Sequence, residues 1–269
     1  MKIYAIKNDR EPNRTLAFLL YYEKVKTFYI ELEDDVDEWE APLLLSTFVG
    51  KGKRTINAYW SKKWVRNRII PQDRQNIGMI LRDNHLKSYD EFELLRLGHG
   101  RCAQDDYFIE EWKQDSLPDN VTQRFLYKVE DVVPLEDYRL LVFFMNGDAR
   151  KCSMKEYLSG RREYAPIITH KEIFENVQIS TGNYGIHWGE QLQLLGKELY
   201  ETGTKVDISR DDFISFVKNR VINAAETARV LNCSRQNINS LVKREQLIPI
   251  KSSEKETLFS KRDVQERLW

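Results

Sequence analysis

Asn223-Ala224-Ala225-Glu226-Thr227-Ala228-Arg229-Val230-Leu231-Asn232-Cys233-Ser234-Arg235-Gln236-Asn237-Ile238-Asn239-Ser240-Leu241-Val242-Lys243-Arg244 is the stretch on which the architecture of this chain turns. Asn223 with Glu226 three residues on has the form of a capping box. It opens a short helix whose Ala225, Ala228 and Leu231 face inward, and the small alanines let a second helix approach closely. Leu231-Asn232-Cys233 then turns, with Asn232 able to take the left-handed conformation. Ser234 caps the next helix, Arg235 to about Arg244, whose apolar stripe is Ile238, Leu241 and Val242. The opposite face presents Arg235, Gln236, Asn239, Ser240 and Lys243. Two short helices joined by a tight turn, the second polar and basic outside, read as a helix-turn-helix.

The residues that follow extend this reading. Leu247-Ile248-Pro249-Ile250-Lys251 and Thr257-Leu258-Phe259 read as two short strands joined by Ser252-Ser253-Glu254-Lys255-Glu256, a wing. Ser260-Lys261-Arg262-Asp263 has capping-box form and starts a last helix ending near Leu268. From Arg210 to Trp269, 12 basic residues stand against 8 acidic ones. The excess concentrates between Lys218 and Lys251, where Lys218, Arg220, Arg229, Arg235, Lys243, Arg244 and Lys251 face only Glu226 and Glu245. Such a basic patch is the footprint of a phosphate-contacting surface.

On these residues the segment resembles the MerR-like and excisionase-type winged DNA-binding domain. The resemblance rests on Ala225 through Leu231, Ser234 through Ile238, Leu241 through Leu247, and Phe259-Ser260 through Val264. It implies that Arg235, Gln236, Asn239 and Ser240 sit in the major groove. Gln and Asn can pair bidentately with adenine and Arg with guanine, so the chemistry agrees. Ser234, Lys243, Arg244, Lys251 and Lys255 are expected on phosphates. The bland alternative is a helical hairpin with a solvated charged face, serving as a protein-interaction module.

The rest of the chain restricts the classes available. Its 269 residues allow two or three domains. Lys plus Arg and Asp plus Glu are 42 each, so a uniformly basic nucleic-acid binder is excluded while one basic domain is not. With 41% hydrophobic and 12% aromatic residues, the chain can bury sizeable cores. No apolar run spans a bilayer, and the first ten residues lack the form of a signal peptide. The cysteines Cys102, Cys152 and Cys233, odd in number and far apart, suggest free thiols in a reducing compartment. A cytoplasmic protein without a membrane partner is the expectation.

Toward the N-terminus, Lys2–Ile6, Leu16–Tyr22 and Lys26–Leu32 read as strands, with a loop over Asn8–Arg14. Seven of the ten residues from Glu31 to Glu40 are acidic, which reads as a solvated loop rather than a metal site. Trp60 and Trp64, four apart among Lys62, Lys63, Arg66 and Arg68, suit one buried helical face with basic residues opposite. Aromatics among cations can also stack bases, which is the functional alternative. Pro71 suits the first turn of a helix carrying Ile77, Ile80 and Leu81, and a further helix runs from Tyr89 to Leu97, ended by Gly98-His99-Gly100. Arg68-Ile69-Ile70-Pro71, Arg74-Gln75, Tyr89-Asp90, Leu94-Leu95 and Gly100 through Asp106 are together similar to the small N-terminal subdomain of HipA-type toxin kinases. In that family the subdomain meets an antitoxin partner; nothing downstream resembles the kinase core.

After a linker at Gln114–Asn120, the middle of the chain reads as strands at Val129–Val133 and Tyr138–Phe144, a type I′ hairpin turn at Asn146-Gly147 and a returning strand at Ala149–Cys152. Ser153 is placed as a helix cap. Val177–Ser180 and Gly185–Trp188 form a second hairpin. The strand Asp137 through Val142, the Asn-Gly turn, Trp188 and Glu198-Leu199-Tyr200 resemble the small bacterial α+β family filed as domain of unknown function twenty-four forty-two. Members commonly carry Asn-Gly after the tryptophan, where this chain has Gly189-Glu190. The family has no agreed chemistry, so the resemblance implies fold alone.

His85, His99, His170 and His187 show no zinc-site spacing, and no nucleotide-binding loop is present. Cys102 near His99 and Asp105-Asp106 reads as structural rather than nucleophilic. No enzyme activity and no cofactor are expected. A nucleic-acid-processing enzyme would need Asp105, Asp106 and Glu110 to gather a metal.

The expected fold is α+β and multidomain: two small α+β domains followed by a mostly α winged helix-turn-helix domain. The expected boundaries are 1–122, carrying the acidic loop, 123–205 for the domain of unknown function, and 206–269 for the DNA-binding domain. The expected function is sequence-specific binding of double-stranded DNA by an oligomeric bacterial transcription regulator, the N-terminal domains serving dimerisation, sensing or partner contact. The rival is a toxin–antitoxin or phage-related partner-binding protein that uses the helix-turn-helix for autoregulation.

Overall fold

Six consecutive apolar residues, Leu16 to Tyr21, are buried at the centre of the first sheet. A strand covered on both faces reads as an unbroken apolar run rather than an alternating one. The structure, a computed structural model, describes residues 1–113, 116–205, 210–253 and 256–269, Arg210 by its backbone alone. Two compact units emerge, 1–123 and 124–269.

The first unit contains β1 (Lys2–Asn8), β2 (Glu11–Tyr22), β3 (Thr27–Leu32), α1 (Ser46–Gly50), β4 (Thr55–Ile56), α2 (Ala58–Arg66), α3 (Ile77–Asp83), α4 (Glu91–Leu97), β5 (Tyr107–Trp112) and α5 (Asp119–Arg124). The strands form one sheet in the order β4-β3-β2-β1-β5. Tyr21 stacks between Phe28 and Phe92, ring centroids 4.7 and 4.1 Å away, which fastens α4 to the sheet. The expected loop over Asn8–Arg14 is instead the closing end of a hairpin. Only residues 9 and 10 separate β1 from β2, and the register shifts around Lys7. Ladder hydrogen bonds belong to the backbone, so exposed polar side chains did not prevent pairing there. Pro71 stands outside any helix, and α3 begins at Ile77. Asp90 caps α4, its side chain accepting from the amides of Phe92 and Glu93 at 3.0 and 3.2 Å. The expected linker at 114–120 is partly helical, since Asp119 opens α5; Gln114 and Asp115 lie outside the described residues.

The second unit opens with β6 (Val129–Leu135), β7 (Arg139–Phe144), β8 (Ala149–Ser153), α6 (Met154–Tyr157), α7 (Ala165–Thr169), α8 (Lys171–Glu175), β9 (Gln178–Ile179), β10 (Gly185–His187), β11 (Gln193–Leu195), α9 (Gly196–Thr202) and β12 (Thr204–Lys205). It builds two sheets, β12-β8-β7-β6 and β11-β10-β9. Val132, Leu140, Val142 and Phe144 join one core with Phe174, Trp188 and Leu199. Val133, Leu135 and Leu141 face the other way, under Phe216. The turn at Asn146-Gly147 is not type I′: Gly147 alone has positive φ (86°), and its amide donates to the carbonyl of Phe144 at 2.9 Å. Asn146 stays in the ordinary region because its side chain accepts from the amide of Asp148 at 3.0 Å. Ser153 precedes α6 without a side-chain cap bond.

The chain continues through α10 (Arg210–Arg220), β13 (Val221–Asn223), α11 (Ala224–Val230), α12 (Arg235–Lys243), β14 (Lys251–Ser252), β15 (Thr257–Ser260) and α13 (Lys261–Glu266). The expected mostly α closing domain is therefore corrected. Residues 221–260 contribute a three-stranded antiparallel sheet, β13-β15-β14, so this part is α+β as well. Antiparallel sheets run through both units, and residues 129–205 are built chiefly on strands. The sequence reading of this segment lacks β13, whose β-branched Val221 and Ile222 pair with Ser260 and Phe259 of β15. The leading strand expected at Leu247–Lys251 shrinks to Lys251–Ser252, since Pro249 has no amide to give a ladder.

α10 is fastened at both ends to the preceding sheet. Lys151 of β8 pairs with Asp212, and Asp131 Oδ1 of β6 lies 2.8 Å from Arg220 Nε. Arg262 Nε of α13 donates to the carbonyl oxygen of Glu130 at 3.1 Å.

Candidate nucleic-acid interface

Local sequence explains how α11 and α12 are set. The Asn223 side chain accepts from the amides of Ala225 and Glu226 at 2.9 and 3.0 Å, while Glu226 Oε2 accepts from the Asn223 amide at 2.9 Å. The capping box is thus complete. Asn232 takes φ of 49°, turning the chain between the helices. Ser234 Oγ accepts from the amide of Asn237 at 3.2 Å and starts α12. Ile238 is fully buried beneath α12 among Ala228, Leu247, Phe259 and Val264, with Leu241 and Val242 packed alongside. Thr227, not expected in the core, is also fully buried, and its hydroxyl donates to the carbonyl of Asn223 at 2.9 Å.

That packing decides what faces outward. Arg235, Gln236, Asn239 and Lys243 are exposed and Ser240 is half-buried. At four-residue spacing, Arg235, Asn239 and Lys243 form one row and Gln236 with Ser240 the next. The structure therefore brings the expected base-contacting residues together on one helix. Ser234 is exposed at the helix start; its oxygen accepts the cap bond and its hydroxyl hydrogen remains able to donate. Arg244 is exposed at the helix end, and Lys251 lies on the edge strand β14. Lys255 lies outside the described residues. Arg235, Lys243, Arg244 and Lys251 form no ion pair among the described residues.

One cation counted in the basic patch is not at the surface. Arg220 is buried against Asp131. Burial lowers its guanidinium against the attraction of Asp131, and burial raises the Asp131 carboxyl despite Arg220 beside it. No sequence signal marks this pair, whose members are far apart in the chain. Lys261 is likewise pushed down, by burial first and then by Arg220.

The groups considered for catalysis are engaged separately. Asp105 pairs with Arg68, Asp106 with Arg10, and Glu110 with Lys7. Cys102 Sγ lies 3.6 Å from Asp105 Oδ1. Among the described residues no three His, Cys, Asp or Glu side chains gather as a metal set, and no helix is long and apolar enough to cross a membrane.

Gly189, which follows Trp188, has φ of 94°, a conformation suited to glycine. No curated protein and no solved structure matches the chain. Residues 129–205 match the profile of a family described as "Protein of unknown function (DUF2442)", and in that middle segment the chain is similar to that family.

Proposed function

We propose that residues 221–269 bind double-stranded DNA through a helix-turn-helix made of α11 and α12, and that the chain is a sequence-specific transcription regulator. One observation carries the reading: α12 holds Arg235, Gln236 and Asn239 exposed, Arg235 without an ion pair among the described residues, over an Ile238 that is fully buried. Side chains of these types reach the base edges of the major groove, and Lys243 and Arg244 at the helix end reach phosphates. The order of helices and hairpin resembles the MerR-like and excisionase-type domains, on a segment that is α+β. One such helix reads a short half-site, so two copies on a two-fold site belong to the proposal.

Genomic-fragment selection with the full chain tests it. The wild type should enrich a few discrete, palindromic sites. Gln236→Ala/Asn239→Ala should lose about 1–3 kcal/mol per contact on those sites alone, while Lys243→Ala weakens all DNA similarly. Retention of random DNA only, or of none, by both the wild type and the double variant refutes the major-groove assignment.

A further inference from the structure

An open cavity of about 430 Å³ lies in the first unit, within the roughly 300–1,000 Å³ usual for small-molecule sites. One wall is apolar, made by Leu43 and Leu44 before α1, Phe48 on it, and Trp60 on α2. Phe48 and Trp60 meet edge to face, with centroids 5.5 Å apart, so that wall is a fixed aromatic corner. Leu43 remains 79% exposed at the rim, an apolar side chain that the fold itself does not cover.

The polar side has an unbalanced charge. Arg68 and Asp105, both in the lining, neutralise one another, and Arg68 is further committed to the carbonyl of Gly100 at 2.9 Å and to the ring of Trp64. Lys51, also in the lining, is exposed and has no ion pair among the described residues. An aromatic corner in the same lining as a lysine that has no ion pair among the described residues suits a flat aromatic ring bearing an anionic group.

We infer that this cavity is a binding site for a small aromatic carboxylate, its ring against Phe48 and Trp60 and its carboxylate toward Lys51. The site belongs to residues 1–123 and does not depend on DNA binding.

Calorimetric titration of the full chain with 1-naphthoate, and with uncharged 1-naphthamide, tests this. One saturable site is expected for naphthoate, preferred over the amide by roughly threefold to fivefold, the upper part of the range of an exposed ion pair. Lys51→Met should erase that preference. Thr47→Trp, a bulky side chain at an exposed lining position, should abolish binding of both probes. Absence of saturable naphthoate binding tighter than about 1 mM, equal affinity for the two probes, or binding that survives Thr47→Trp overturns the inference.

Discussion

Replacing Arg220 by methionine would leave the Asp131 carboxylate without its partner, with side chains that are now only 6% and 9% exposed. Burial raises Asp131 and lowers Arg220 even while they are paired, so lost hydration outweighs their attraction. In Arg220→Met, Asp131 can avoid a bare buried charge by taking a proton. From its ordinary value near 3.8, protonation at about pH 7 costs about 4 kcal/mol, at ~1.36 kcal/mol per unit. That figure caps the penalty, and it falls within the ~3–5 kcal/mol usual for breaking a buried pair. The folded variant then holds a proton that the unfolded chain lacks above 3.8, so its stability falls as pH rises toward the raised folded value. Acidifying from about pH 7 to about pH 5 should therefore restore up to about 3 kcal/mol. Asp131→Asn leaves Arg220 alone, and a guanidinium cannot shed its proton, so that cost should persist on acidification. Asp131→Leu/Arg220→Met should be neutral or stabilising.

Hydrogen exchange of the β6 and β7 amides, corrected for intrinsic rates, reports this region even if the two units unfold separately. Arg220→Met should lose about two to three decades of protection at about pH 7, at ~1.4 kcal/mol per decade. A loss below one decade, or a double variant as weak as the single one, would refute the claim that desolvation dominates this pair.

Burial also holds His187 below its ordinary 6.5. Its neutral form is favoured by folding, so the stability it contributes is present above 6.5 and lost as pH falls from there through its folded value. Exchange protection of β10 and β11 should show that decline, and His187→Asn should remove it. At Gly196, a Cβ would collide with the carbonyl oxygen of Tyr127. Gly196→Ala should cost at least the ~1–3 kcal/mol of an overpacked site. Gly78→Ala, in open space on α3, should stabilise by roughly 0.5–1 kcal/mol, and thermal unfolding distinguishes the two.

The elements legible in the sequence are those set by neighbours within a few residues. The Asn223–Glu226 box, the left-handed Asn232 and the Ser234 cap each involve groups at most three positions apart, and all are present. Strands whose existence depends on distant partners were not legible. β5 pairs with β1 from about a hundred residues away, and Glu110-Glu111 breaks its apolar alternation; β13 has only three residues and acquires its identity from β15. The candidate interface divides on the same line. The outward row on α12 follows from helical period and the buried Ile238, whereas the withdrawal of Arg220 from the surface depends on Asp131, a residue in another sheet.

The attachment of the closing segment to the sheet before it limits how such a chain can be recombined. Arg262 takes a backbone carbonyl from Glu130, and Arg220 takes its counter-ion from Asp131, both on β6. The closing segment grafted elsewhere without β6 would carry one stranded guanidinium group in its interior, that of Arg220, whereas Arg262 would keep Asp263 and Glu266 on its own helix. A junction placed between β6 and α10 would part Arg220 from Asp131 and Asp212 from Lys151, so cutting there is penalised in stability.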